Sequence, residues 1–176
     1  LCQARNENIL WRDGLLRVIR VDDPDYPGFC RVILNRHVKE MTDLPPDERA
    51  RLMQAVCVVE GALRELLQPD KVNLAAFGNQ VPHLHWHIIP RFADDAHFPD
   101  PVWAVARRAG RAHPVDNARL TQIIARQLVA IEEGYYEDAG LSVTLNHHAA
   151  GADQFGALVA GQEDMLMSAV DETMQA

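Results

Sequence analysis

The chain has 176 residues, 48% hydrophobic, 24% charged and 6% aromatic, which suits one globular domain with or without an appendage, since a domain takes roughly 100 to 200 residues. Its 17 basic and 25 acidic residues give a net charge of −8, without the cationic footprint that binding to long nucleic acid needs. No apolar run reaches the roughly 18 to 20 residues of a membrane span, and the opening LCQARNEN lacks the apolar stretch of a signal peptide, so a cytoplasmic protein without a membrane partner is expected.

The charge is unevenly spread. Residues 1–133 hold all 17 basic and 18 of the acidic groups, whereas residues 134–176 hold seven acidic groups and no Lys or Arg. Cys2, Cys30 and Cys57 stand apart, with no CxxC or zinc-finger spacing, so they are expected to be free thiols. The first residue is Leu rather than Met, which places the native start upstream as an expectation.

In chain order, residues 8–13 and 15–21 read as two short strands joined at Asp13-Gly14, a dipeptide that favours tight hairpin turns with positive backbone angles. Asp22-Asp23-Pro24-Asp25-Tyr26-Pro27-Gly28 is a turn-rich loop, and the apolar run 29–34 predicts a third strand. A long amphipathic helix follows. Pro45 and Pro46 sit near its first turn, Asp47 and Glu48 face the positive end of its dipole, and Leu52, Val56, Val59, Leu63 and Leu66 recur at three- and four-residue spacing up to Gln68-Pro69. Residues 71–77 predict a fourth strand, 78–82 a connection and 83–91 a fifth strand. Residues 94–103 are loop by composition, and 116–133 form a second helix with Leu120, Ile123, Ile124, Gln127, Leu128 and Ile131 on one side. An α+β domain with an antiparallel sheet is expected, followed from residue 134 by an acidic appendage with weak structural signals.

The segment His83-Leu84-His85-Trp86-His87-Ile88-Ile89 carries most of the functional information. On an extended strand His83, His85 and His87 share one face, with neighbours about 6.5 to 7 Å apart. Single histidines such as His97, His113, His147 and His148 read as ordinary hydrogen-bonded residues. A row is different, because burying three imidazoles without partners leaves costly polar groups or mutually repelling cations. Two chemistries fit the row. Alternate imidazoles can share a metal ion, although no carboxylate lies on the strand or immediately before it. Alternatively one neutral imidazole is a nucleophile toward phosphorus and its neighbours stabilise charge, with no metal. The second route needs phosphate-binding help, which the side chains of Asn79 and Gln80, backbone N–H groups near Gly78, and Arg91 can supply.

HLHWHII matches the His-φ-His-φ-His-φ-φ pattern, with φ apolar, of the histidine triad (HIT) family. The resemblance extends over residues 9–103: hairpin, DxxxxPG loop, a strand ending near Asn35-Arg36-His37, a helix opening with Leu-Pro-Pro-Asp-Glu, a strand holding Asn73, a short loop, the triad and then Pro-Arg. It is most similar to small bacterial members of the nucleotide-hydrolysing branches. The resemblance implies a HIT-like fold, a five-stranded antiparallel sheet with one long helix and a second C-terminal helix. It would divide the chain into a HIT domain over 1–112, a helix packed on it over 113–133 and an acidic tail over 134–176.

It also implies roles. His85 would attack the α-phosphorus of a purine nucleotide, His87 would polarise the α-phosphate, and His83 would orient His85 through its carbonyl. Asn35, Asn73, Asn79 and Gln80 would belong to the nucleotide-binding set, the last two in a loop shorter than in several branches. Asp22 or Asp23, which composition alone would read as turn residues, would bind the ribose diol. Adenosine phosphoramidates and dinucleoside polyphosphates are the implied substrates, no cofactor or metal would be required, and two chains would pair as a homodimer. Trp11, Tyr26 and Phe29 either pack in the core or wall the base, and Trp103 either covers the site or anchors its loop. Arg107, Arg108 and Arg111 read as a solvated patch. The competing readings are a nucleotide-binding sensor or scaffold without turnover, whose acidic tail contacts a partner, and a histidine-ligated metal protein.

Overall fold

In the computed structural model, residues 7–132 are described; Cys2, the acidic tail and the readings of His147 and His148 made within it lie outside them. The described chain runs β1 (Asn8–Arg12), β2 (Leu16–Arg20), β3 (Cys30–Leu34), a 3-10 turn (Met41–Asp43), α1 (Pro46–Leu67), β4 (Lys71–Ala75), β5 (His85–Arg91) and α2 (Asn117–Glu132). The strands form one antiparallel sheet in the order β1-β2-β3-β5-β4, so the connection through α1 delivers β4 to the edge and β5 to the interior. This is the expected α+β architecture. No helix among the described residues is long and apolar enough to cross a membrane.

The pleat sorts the sheet's side chains between two environments. Leu16, Val18, Val32, Leu34 and Ile88 join one apolar core with Leu52, Val56, Val59 and Leu63 of α1 and Leu120, Ile124 and Leu128 of α2. The residues between them, Arg17 and Ile19 on β2, Arg31 and Ile33 on β3, and His85, His87 and Ile89 on β5, therefore project from the opposite face. Tyr26, Phe29 and Ile89 form a small apolar cluster on that second face.

The helix ends follow the local chemistry. Pro46 stands at the start of α1 with Asp47 and Glu48 in its first turn, and Gln68 stops it in the left-handed region at φ 48°, just before Pro69. Asp116 accepts a hydrogen bond from the Arg119 amide at 3.0 Å and so satisfies one of the free N–H groups opening α2. The first hairpin departs from expectation. Its turn is held by Asp13, whose Oδ1 accepts from the amides of Leu15 and Leu16 at 2.8 and 2.7 Å, and Gly14 needs no positive φ. The positive angle belongs to Gly28, at φ 80°, where an added Cβ would lie 2.6 Å from a terminal methyl of Leu67.

Because the Leu67 methyl can move but the backbone angle cannot, Gly28→Ala is expected to cost about 1–2 kcal/mol, the ordinary penalty for a Cβ in the left-handed region. Urea unfolding checks this: the midpoint should fall while the slope stays unchanged.

Candidate active site

The site is built on β5, where the register places His85 opposite Ile33 of β3, and His87 between Arg31 of β3 and Ala75 of β4. The two imidazole rings stand 4.8 Å apart between centroids. His83 does not extend the row on the same strand. The strand starts at His85, because the His83 amide turns back across Pro82 to the Val81 carbonyl at 2.7 Å, and the Leu84 amide bonds the Val38 carbonyl instead of a ladder partner. The proline-centred turn thus separates His83 from the pair while keeping its backbone beside them.

That separation orients the rings. His83 is 1% exposed, and its Nε2 lies 2.6 Å from the Leu34 carbonyl oxygen. His85 Nδ1 lies 2.6 Å from the carbonyl oxygen of His83. A carbonyl can only accept, so each of these nitrogens carries the proton. In the neutral His85 ring, Nε2 therefore keeps its lone pair. Burial holds the His85 imidazole below its ordinary range against the opposing effect of the His83 carbonyl, and the Arg31 charge lowers it further. Burial likewise lowers His83. His87 is pushed down to about 4 by burial, then by the charges of Arg31 and His85, and its buried Nε2 has no hydrogen-bond partner among the described residues. Burial thus favours the neutral form along the row, leaving a lone pair on His85 Nε2 and a His87 nitrogen that faces no partner among the described residues.

The remaining expected residues separate spatially. Asn73 shares the histidine face, one pleat repeat from the position opposite His87. Its Oδ1 accepts from Arg91 Nη1 at 2.8 Å, which leaves its N–H groups turned elsewhere as donors. Arg91 is spent structurally: its Nε and Nη2 donate to Asp95 at 2.6 and 3.1 Å, and Nη2 also donates to the Asp100 carbonyl. Asn35 donates to the Asp13 carbonyl at 2.9 Å and so ties the end of β3 to the first turn. Asp22 is 98% exposed beside Arg20, whereas Asp23 is half-buried and accepts from the Asp25 amide. Asn79 and Gln80 are exposed in the connection from β4 to β5. Among the described residues, no group of three or more His, Cys, Asp or Glu side chains is arranged to hold a metal ion.

Aromatic rings enclose His87. Phe29 and Phe77 approach it edge-on at 5.3 and 5.7 Å, and Trp103, 69% exposed, stands edge-on to Phe77 at 5.4 Å. Beside them a cleft of ≈ 670 Å³ opens over Asn73 and Ile89, walled by Phe77, Val102 and Trp103. Tyr26 is instead buried against His97, and Trp11 packs on the helix side of the sheet beneath Arg51. Arg107 pairs with Asp100, while Arg108 donates to the carbonyls of Ala93, Asp95 and Phe98, so these two brace the loop after β5.

Two residues of this face escaped the sequence reading, Arg31 and Phe77. Arg31 interrupts the apolar run FCRVIL at a position of the same parity as Phe29 and Ile33, which was a usable signal that it leaves the core face. Nothing local, however, says that β3 lies beside the histidine strand. Phe77 is a single aromatic before a turn and acquires meaning only from its contact with His87.

A family model described as HIT domain matches residues 3–94, more than half of the chain, and one described as NMT1/THI5 like matches residues 122–176, less than a third. The chain is 32% identical over 81 residues to an AP-4-A phosphorylase of Mycobacterium tuberculosis, a match covering 43% of this chain and 42% of that protein. It is 34% identical over 73 residues to an asymmetrical bis(5'-nucleosyl)-tetraphosphatase of Schizosaccharomyces pombe, covering 39% and 40% respectively. These matches span less than half the length of either curated relative. A crystal structure of a histidine triad protein from Bradyrhizobium japonicum is similar with a TM-score of 0.57 at 33% identity, over 70% of this chain and 91% of that one.

The lowered His87 value carries a stability consequence. The unfolded chain takes up this proton near pH 6.5 and the folded one only near 4, so stability is complete above about 6.5 and is lost as pH falls toward about 4. His87→Gln should flatten the decline of the urea midpoint across that window. An equally steep decline in parent and variant would remove His87 as its source.

Proposed function

The chain belongs to the HIT-domain family, and on that premise we propose that it cleaves dinucleoside polyphosphates or nucleoside phosphoramidates at the α-phosphate through a nucleotidyl-histidine at His85. The observation that carries this reading is the 2.6 Å hydrogen bond from His85 Nδ1 to the His83 carbonyl, which directs the lone pair to Nε2.

In the first step Nε2 forms a bond to the α-phosphorus while the bond from phosphorus to the leaving group breaks; a leaving phosphate takes the electron pair as an anion, and a leaving amine takes the electron pair together with a proton from water. The imidazole gains positive charge, which the His83 carbonyl stabilises through the Nδ1 proton. In the second step an acceptor oxygen bonds to phosphorus and the Nε2–phosphorus bond breaks. Because Nδ1 is already protonated, the imidazole departs neutral, which makes it a good leaving group. Water as acceptor yields the nucleoside monophosphate and releases a proton, whereas inorganic phosphate yields the diphosphate. Splitting one difficult displacement into two requires no metal.

His87 would donate from its buried, unpartnered nitrogen to an α-phosphate oxygen, and Asn73 would donate from the amide that Arg91 orients. Half-buried Asp23, with Asp22 as its neighbour, would accept from the ribose diol, and exposed Asn79 and Gln80 would meet the leaving group. The reading includes a homodimer, since β4 is a sheet edge with one row of backbone groups unpaired within the sheet, and a cytoplasmic setting with nucleotides at hand.

Purified chain incubated with diadenosine tetraphosphate and adenosine phosphoramidate should release AMP equally with and without a chelator, and added phosphate should divert product to ADP if it serves as acceptor. His85→Ala should lower turnover at least about 10³-fold with the fold intact, and His87→Ala about 10²-fold, the usual cost of one charge-stabilising donor. Activity of His85→Ala within a few-fold of the parent would overturn the covalent route.

A further inference from the structure

The sheet's second face carries four arginines: Arg12 is exposed, and of the three withdrawn from solvent two are answered by carboxylates. Arg17 pairs with Glu7 at 2.7 Å and Arg91 with Asp95 at 2.6 Å. Arg31 is different. It projects between Ile19 of β2 and His87 of β5, its guanidinium lies 5.2 Å over the Phe29 ring, and its Nε is buried without a hydrogen-bond partner. The side chain is half-buried, and it makes no hydrogen bond or ion pair with any described residue. Burial pushes its guanidinium below the ordinary range, and Asp23 and Glu7 oppose this from a distance without a hydrogen bond or ion pair to it.

A guanidinium withdrawn from water without a charged partner destabilises a fold, and leucine or methionine would satisfy a half-buried strand position better. The position makes physical sense if its counter-charge arrives with the ligand. Guanidinium presents a planar fork suited to two oxygens of one phosphate, and a site beside His87 puts that fork next to the reacting centre. The Phe29 ring lies beneath the guanidinium and edge-on to His87, so one aromatic side chain adjoins both groups.

We propose that Arg31 is a substrate-binding residue that holds an oxygen pair of the nucleotide's phosphate chain, and so makes this site select for charged nucleotides over nucleosides. The assignment rests on the proposed reaction only for the identity of the ligand as a nucleotide. The residue ties the phosphate to β3 while His87 and Asn73 approach it from β5 and β4, so three neighbouring strands would grip one group.

The test uses the full chain with Arg31→Met and Arg31→Lys. Calorimetric binding of AMP and of adenosine is measured for each, together with thermal unfolding and the kinetic constants for diadenosine tetraphosphate. Arg31→Met should weaken AMP binding about 10- to 100-fold, the range for a lost charge-assisted phosphate contact, while adenosine binding stays within about two-fold and the unfolding temperature does not fall. Arg31→Lys should recover part of the AMP affinity. Equal losses for AMP and adenosine, unchanged AMP affinity, or a lowered unfolding temperature would overturn the proposal in favour of a packing role. A parent that binds AMP but releases none from any adenylylated substrate would sink the reaction and leave Arg31 assigned. A parent that turns over, with Arg31→Met equal to it in AMP affinity, would sink Arg31 alone.

Discussion

The hydrogen bond between the His85 ring and the His83 carbonyl is the constraint on which this site depends, because it decides which nitrogen is basic. That carbonyl is itself held from both sides. The amide of His83 closes a turn onto Val81, its ring bonds the Leu34 carbonyl at the end of β3, and the next amide bonds Val38. The tautomer of one imidazole thus rests on backbone positions in three segments. A proline within the turn stiffens the arrangement by fixing its own φ.

The second governing feature is the division of labour between the faces of the sheet. Helices α1 and α2 seal one face with branched aliphatic residues, which gives the domain its cohesion. The other face and its margin then hold polar groups out of water, where electrostatic effects are stronger. This explains why all three histidines are driven toward neutrality by burial first and by neighbouring charge second. The same environment demands that charge be answered, as Arg17 and Arg91 are by Glu7 and Asp95. Those two ion pairs frame the histidines without entering their chemistry, and the Arg91 pair also positions Asn73.

Aromatic rings complete the enclosure. Phe29 comes from the strand entry after the Gly28 turn, Phe77 from the end of β4 and Trp103 from the loop after β5, so three separate segments converge around His87. The exposed Trp103 ring and the adjoining cleft give this side an apolar wall that the histidines lack.

The amino-acid sequence alone determined the strands, the two helices, the core-facing residues of α1 and α2, and the histidine motif, because each is written in local periodicity or in a short pattern of residue types. It located the pair His85 and His87 on one face by alternation, which is a property of any strand. It misjudged the start of that strand and the angle at Gly14, since backbone hydrogen bonds to the Asp13 carboxylate and a turn across Pro82 outweigh dipeptide preference and alternation. Strand order was decided only in three dimensions. Arg31 and Ala75 are 56 and 12 residues from His87 in sequence, yet pair with it because β5 inserts between β3 and β4. Likewise the diversion of Arg91 to Asp95 and of Asn35 to Asp13 depends on which loop closes over which strand. Local pattern specifies what a residue can do, whereas long-range hydrogen-bond pairing specifies what it meets.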